Sequence, residues 1–199
     1  MNQIIQNQLE FLTIADKMKT IRRQSLLIDG SRQENNAEHS WHFALMAMTL
    51  FEHCAIEGVD LNRVLKMAIV HDLVEIYADD SPAMDTSAQI DKAQREQAAA
   101  DKLFALLPSK QADEYRALWE EFDAMETPDA IYASAIDRLQ SFNNIYKSGG
   151  RAWAKYNAPA QRVKGRMLPV EKALPALWPF VEDAIADSIE KGWVQPYHD

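Results

Sequence analysis

His71 and Asp72 stand side by side in Met67-Ala-Ile-Val-His-Asp-Leu-Val-Glu-Ile-Tyr77, a stretch otherwise apolar enough to be a buried helix. An unpartnered charge in such a place is strongly disfavoured, so the pair, and Glu75 after it, must be satisfied by something. A divalent cation is the simplest partner, and His39 and Asp137 offer further ligands of the right chemistry. The expectation is a single metal ion held by His39, His71, Asp72 and Asp137. Imidazole and carboxylate ligands suit Mn, Co, Ni, Fe or Zn; Mg is possible but prefers oxygen. Adjacent helical residues diverge by about 100 degrees, so the ion must sit astride His71 and Asp72. Taken alone, those two residues also fit a hydrogen-bonded buried pair with no metal.

Glu75 follows His71 by one turn and Asp72 by three residues. Its carboxylate can reach a water on the same ion without displacing a ligand, the position of a general base. His42 shares a helix face with His39 and reads as a supporting or core histidine. His53 reads as a helix-end charge or a solvated residue, and His198, in the tail, is given no role. Trp41, Trp119, Trp153 and Trp178 could stack a base, although large aromatics on periodic faces are more often core or interface.

Helices must position these residues, because six glycines interrupt the chain and no segment alternates with β-branched enrichment. Ile4, Ile5, Leu9 and Leu12 mark a first amphipathic helix, and Ile21 to Gln33, with Asp29-Gly30 as its turn, reads as a loop. A second helix is expected from about Ala37 to Ile56, closed by Gly58. Asp60 caps a third from Leu61 to about Ala78, stopped by Asp79-Asp-Ser-Pro82. A fourth follows from about Ala88 to Leu107 and a fifth from about Ala112 to Met125. Thr127-Pro128 opens a sixth that runs to about Lys147 and carries Asp137. Beyond Gly149-Gly150 come an irregular stretch around Trp153 to Asn157, a segment from Pro159 to Met167, and a last helix from about Ala176 to Lys191 whose start Pro175 and Pro179 fix or bend.

With 199 residues and no long linker, the chain reads as one domain spanning 1–199. Cys54, the single cysteine, excludes an internal disulfide and a multi-thiolate zinc site, fits a reducing compartment, and reads as a small apolar filler. The N-terminus lacks the basic start and apolar run of an export signal, and the longest uncharged apolar run, Phe43 to Phe51, is far below membrane-spanning length. A cytoplasmic location with no membrane partner is therefore expected. A net charge of -9 opposes nucleic-acid polymers, and the mildly basic region from Lys155 to Lys172 lacks interleaved stacking aromatics. A small phosphorylated metabolite is still compatible, because a metal and one arginine can reverse the average charge locally.

Three stretches together resemble the HD-domain metal-dependent phosphohydrolases: Glu34-Asn-Asn-Ala-Glu-His-Ser-Trp41, His71-Asp-Leu-Val-Glu75, and Asp137 within Ala135-Ile-Asp-Arg-Leu139. Lys92-Ala-Gln-Arg-Glu-Gln-Ala98, Leu107-Pro108 and Leu118-Trp-Glu-Glu-Phe122 are similar to the 5'-deoxynucleotidase branch of that family, and the likeness covers roughly residues 15 to 150. The resemblance implies an all-α helical bundle, with a motif-bearing core of about 15–150 and a helical extension of about 151–199. It also implies a homodimer and hydrolysis of (deoxy)ribonucleoside 5'-monophosphates to nucleoside and phosphate, using one divalent ion. In it Glu75 would handle the water, Asp80 would assist proton transfer near the leaving oxygen, and Arg23, whose forked donors suit a phosphate monoester, would clamp the phosphate.

The chain departs from the family pattern where Asp79 replaces a more usual glycine, where Gln24 replaces a bulky aromatic beside the arginine, and in a loop after Arg23 that is one residue longer. Alternative readings keep the metal but change the substrate to a cyclic nucleotide, a triphosphate or another phosphorylated metabolite, or make the chain a non-catalytic module that holds a nucleotide.

Overall fold

Helix α7 (Pro128–Lys147) is the element on which the others are assembled. Thr127 caps it by accepting from the Ala130 amide, and Pro128 opens it where a missing N–H costs nothing. Ala130, Ala133, Ala135 and Ser134 are buried together with Tyr132, Ile136, Leu139 and Phe142, so this helix is enclosed on most of its circumference. Its small residues let neighbours approach closely: α2 (Asn36–Leu50), α3 (Leu61–Val70), α6 (Ser109–Ala124), α8 (Arg151–Lys155) and α10 (Leu168–Ala173) all contact it. Each large aliphatic side chain buried there contributes on the order of 1.5–3 kcal/mol.

The computed structural model describes residues 2–85, 87 and 89–197, so the expected helix start at Ala88 and the tail residue His198 lie outside the described residues. The other helices are α1 (Gln3–Ala15), α4 (Glu75–Ala78), α5 (Lys92–Phe104), α9 (Ala160–Arg166) and α11 (Trp178–Glu190). The all-α expectation holds, with one addition. Residues expected to form a loop make a small antiparallel hairpin, β1 (Arg22–Leu26) with β2 (Gln33–Asn35), whose connection is closed by the Leu27 amide donating to the Arg32 carbonyl and by Gly30 at φ 71°. Pairing runs from Arg22 opposite Asn35 to Leu26 opposite Gln33 and is irregular between, so β1 bulges around Arg23, Gln24 and Ser25.

Three expectations about helices need correction. α1 forms, but Ile4, Ile5, Leu9 and Leu12 are exposed and Phe11 is its buried residue. α2 ends at Leu50 and continues only as a single tight turn, Phe51–His53, before Gly58. The third helix is broken: α3 stops at Val70, and α4 begins at Glu75. Across the break the amides of Leu73, Glu75 and Ile76 donate to Val70, Asp72 and Leu73, three residues back rather than four. In such a tightened turn residues three apart eclipse, which stacks Asp72 and Glu75 in one direction.

The C-terminal stretch returns to the body of the fold. Gln195 donates to the Ala158 carbonyl and accepts from the Ala160 amide. Gly150, at φ 69°, is covered by Trp193 so closely that a β-carbon there would lie 2.5 Å from the indole side chain.

Candidate metal centre

Local chemistry fixes where each candidate ligand begins. Asn35 caps α2 by accepting from the Glu38 amide, and the Glu38 carboxylate accepts from the Asn35 amide, a reciprocal capping box visible in Asn35-Asn-Ala-Glu38. His39 follows in the first turn of α2. His71 and Asp72 enter from the break after α3, and Asp137 from the middle of α7.

The structure brings all four together. His39 Nε2 lies 3.3 Å from His71 Nε2, 2.9 Å from Asp137 Oδ1 and 3.8 Å from Asp72 Oδ2. His71 Nε2 lies 3.2 Å from Asp72 Oδ2 and 3.9 Å from Asp137 Oδ1. Ligands around a divalent ion with bonds of about 2.1 Å lie roughly 3.0 Å apart when adjacent and about 4.2 Å apart when opposite, which brackets these separations. His39, His71 and Asp72 form a buried cluster able to hold a metal, each offering a ligand atom within 4.8 Å of the others.

Hydrogen bonding determines which nitrogen each imidazole turns inward. His71 Nδ1 lies 3.1 Å from the Ala68 carbonyl, which can only accept, so Nδ1 carries the proton and Nε2 the lone pair. His39 Nδ1 lies 2.8 Å from Gln140 Oε1. The Gln140 amide nitrogen donates to Glu34 Oε1 at 2.7 Å, which fixes the amide orientation and again leaves the histidine Nε2 free. Two imidazole lone pairs and two carboxylates therefore face one another at short range. That arrangement is repulsive without a cation at its centre, and it fits a divalent ion with histidine and carboxylate ligands.

Gln140, Glu34 and Asn36 are the residues whose roles the sequence did not disclose. Glu34 is buried and accepts from Gln140, from Asn144 at 3.0 Å and from Ser25 at 3.1 Å, locking the hairpin to α7 behind His39. Gln140 follows Asp137 by three residues on one helix face, a spacing that could have flagged it. His42 takes the expected supporting place, 3.2 Å from the Gln140 amide nitrogen. His53 stands half exposed beside Glu52.

Glu75, Asp80 and Arg23 line the cavity above the cluster. Arg23, re-aimed by the bulge, donates to Asp72 Oδ2 at 2.5 Å and more weakly to Asn36 Oδ1 at 3.4 Å. The Asn36 amide in turn holds Glu75 Oε2. Burial, with Asp72 and Asp80 nearby, pushes Glu75 well above the usual carboxylate range. Burial also raises Asp80, Asp72 adding to the effect while Arg23 opposes it. Burial works against ionised Asp72, but His71 and Arg23 outweigh it and hold Asp72 far below the ordinary value. Asp137 is likewise held low, His39 outweighing burial. Burial would lower His71, yet Asp72 and Asp137 leave it raised.

The cavity has a volume of about 230 Å³, and its apolar lining includes Phe142, Trp153, Tyr156, Val163 and Met167. Trp153 is the tryptophan in that lining; it is itself buried and packs against Phe142 at 5.1 Å between ring centres. Trp119 is core, Trp178 packs against the core half-buried, and Trp41 is exposed. Gln24, in the cavity lining, accepts from Lys155 Nζ at 2.6 Å.

A helical frame that gathers two histidines and two aspartates from three separate segments beneath one cavity defines a class of proteins built around a buried His-Asp pair. The chain belongs to the HD domain family, whose sequence profile matches residues 15–178. It is 26% identical over 163 residues to 5'-deoxynucleotidase HDDC2 of Xenopus laevis, covering 78% of this chain and 79% of that protein. Its identity to the protein of the same name from Dictyostelium discoideum is 28% over 146 residues, 71% and 77% of the two chains. A solved structure from Magnetospirillum magnetotacticum, described as a predicted metal-dependent phosphohydrolase, is 40% identical and superposes with a TM-score of 0.90 over 98% of this chain and 97% of its own.

Proposed function

We propose that the chain is a metal-dependent phosphomonoester hydrolase that converts nucleoside 5'-monophosphates, deoxyribonucleotides foremost, to nucleoside and phosphate. The carrying observation is the convergence of His39, His71, Asp72 and Asp137 at the floor of a cavity whose walls present Arg23, Glu75 and Asp80. In this reading all four residues would hold one divalent ion, Mn, Co, Ni, Fe or Zn, with Mg the weaker candidate. Bound there, it would lower the pKa of a water and neutralise phosphate charge.

Arg23 clamps the phosphate with a guanidinium that Asp72 already orients. Glu75, positioned by Asn36, takes the proton from the attacking water. A phosphorus–oxygen bond forms to the water oxygen as the bond to the sugar oxygen breaks. Asp80, its carboxyl also raised, delivers a proton to the departing oxygen. Phe142, Trp153 and Tyr156 give the nucleoside an apolar wall.

The names of the 5'-deoxynucleotidase relatives support the substrate class. We also propose a homodimer in the cytoplasm. Apolar residues exposed along α1 (Ile5, Leu9, Leu12) and α2 (Trp41, Leu45, Met48) support the dimer, and a lone cysteine, with no helix among the described residues long and apolar enough to cross a membrane, is compatible with the location.

The test is phosphate release from a panel of nucleoside 5'-, 3'-, cyclic and triphosphates with Mn, Co, Ni or Mg added to metal-stripped protein. Release from 5'-monophosphates is expected. Absence of release from them under every metal overturns the proposal.

A further inference from the structure

One end of the cavity holds more positive charge than its surroundings neutralise. α9 carries Arg166 into the lining beside Trp153, Val163 and Met167. Its half-buried guanidinium makes no hydrogen bond or ion pair among the described residues. The charges that act on it most strongly are one carboxylate, Asp137, and three guanidiniums, Arg138, Arg162 and Arg23.

Asp137 is committed to His39 at 2.9 Å, and Arg23 to Asp72. Arg138, which also lines the cavity, donates among the described residues to neutral acceptors, the Arg166 carbonyl at 3.0 Å and Met125 Sδ at 3.1 Å. Arg162 donates to the carbonyls of Ala83 and Met84. Burial pulls Arg166 below the usual arginine range, as happens where a cation lacks an anion beside it. In a chain with 30 acidic residues against 21 basic ones, a carboxylate could readily have stood here. A guanidinium that lines a cavity with no carboxylate bonded to it is a receptor for an incoming anion.

The scissile phosphate has its own partners in the metal cluster and Arg23. Arg166 makes no contact with those groups by hydrogen bond or ion pair among the described residues, and it shares the lining with Trp153, Val163 and Met167, apolar side chains that would receive the organic part of the substrate. We propose that Arg166, with Arg138, forms a second anion subsite that takes a phosphate other than the one hydrolysed. A nucleotide with two separate phosphates, such as a deoxyribonucleoside 3',5'-bisphosphate, is then bound in preference to the 5'-monophosphate. This rests on the nucleotide-hydrolase reading above.

The experiment measures equilibrium binding of a deoxyribonucleoside 5'-monophosphate and its 3',5'-bisphosphate to metal-loaded Glu75→Gln protein, which holds substrate without rapid turnover. The same pair is measured with Arg166→Ala and Arg166→Lys added, each checked for fold by its thermal melt. A charge-assisted contact predicts that the bisphosphate binds about 10- to 100-fold tighter, that Arg166→Ala reduces the ratio to about 2 or less, and that Arg166→Lys restores part of it. Equal binding of the two nucleotides by the parent overturns the subsite alone, as does a ratio that survives Arg166→Ala. Failure of both nucleotides to bind overturns the nucleotide reading and the subsite together.

Discussion

Each ligand histidine keeps its Nδ1 proton on a protein acceptor, Ala68 for His71 and Gln140 for His39, so the tautomer needed for ligation is built in before any ion arrives. This preorganisation separates the roles of neighbouring carboxylates. Asp72→Ala is expected to lose both bound metal and turnover, whereas Glu75→Gln keeps the metal and loses about 100- to 10,000-fold in turnover, read by elemental analysis beside phosphate release. Near-normal turnover by Glu75→Gln would remove it from the chemistry. Protonation gives a further check. Because Asp72 and Asp137 hold His71 above the ordinary histidine value, the metal-free protein gains stability from the protonated ring at low pH and loses it as pH rises through the folded pKa. Metal needs the neutral ring, so the rise in melting temperature on adding Mn should be larger at about pH 8 than at about pH 6. An increment unchanged across that span would argue against histidine ligation.

Elements show where local chemistry decides structure and where tertiary packing does. Asp60 and Thr127-Pro128 announce α3 and α7 because a cap and a first-turn proline act through their immediate neighbours. The break at 71–74 was not legible: the apolar pattern runs through it with no glycine or proline, and it becomes visible only once His71 and Asp72 are seen turning toward His39. The hairpin escaped for a related reason, since its strands are short and polar and are held by Glu34 reaching α7 rather than by strand propensity. Metal-binding residue types could be picked out because few side chains ligate, but Gln140 and Glu34 resemble ordinary helix and loop residues until their partners are known. At the end of α4, Asp79 sits at φ 62° and ψ 153°, a region essentially reserved for glycine, so this residue carries backbone strain. Asp79→Gly should therefore stabilise the fold by about 1 kcal/mol net, raising the melting temperature by roughly 2–4 °C. A lower melting temperature would mean that the Asp79 side chain contributes more than its backbone strain removes.

Taken whole, the molecule is acidic outside and selectively basic along one wall of its cavity, with apolar stripes on α1 and α2 facing outward. If the α2 stripe covers a second copy, Trp41→Glu combined with Met48→Glu should give a monomer by sedimentation where the parent sediments as a dimer. A parent already monomeric at micromolar concentration would count against the dimer. The way the chain is tied up at its end has a different consequence. Gln195 is stitched to Ala158 and Ala160, and Trp193 is pressed onto Gly150, so residues 193–195 brace the starts of α8 and α9, the helices that carry Trp153 and Arg166. Clipping or tagging that end would loosen what the enzyme admits and leave its catalytic floor standing, and a lineage could retune its diet there without relearning its chemistry.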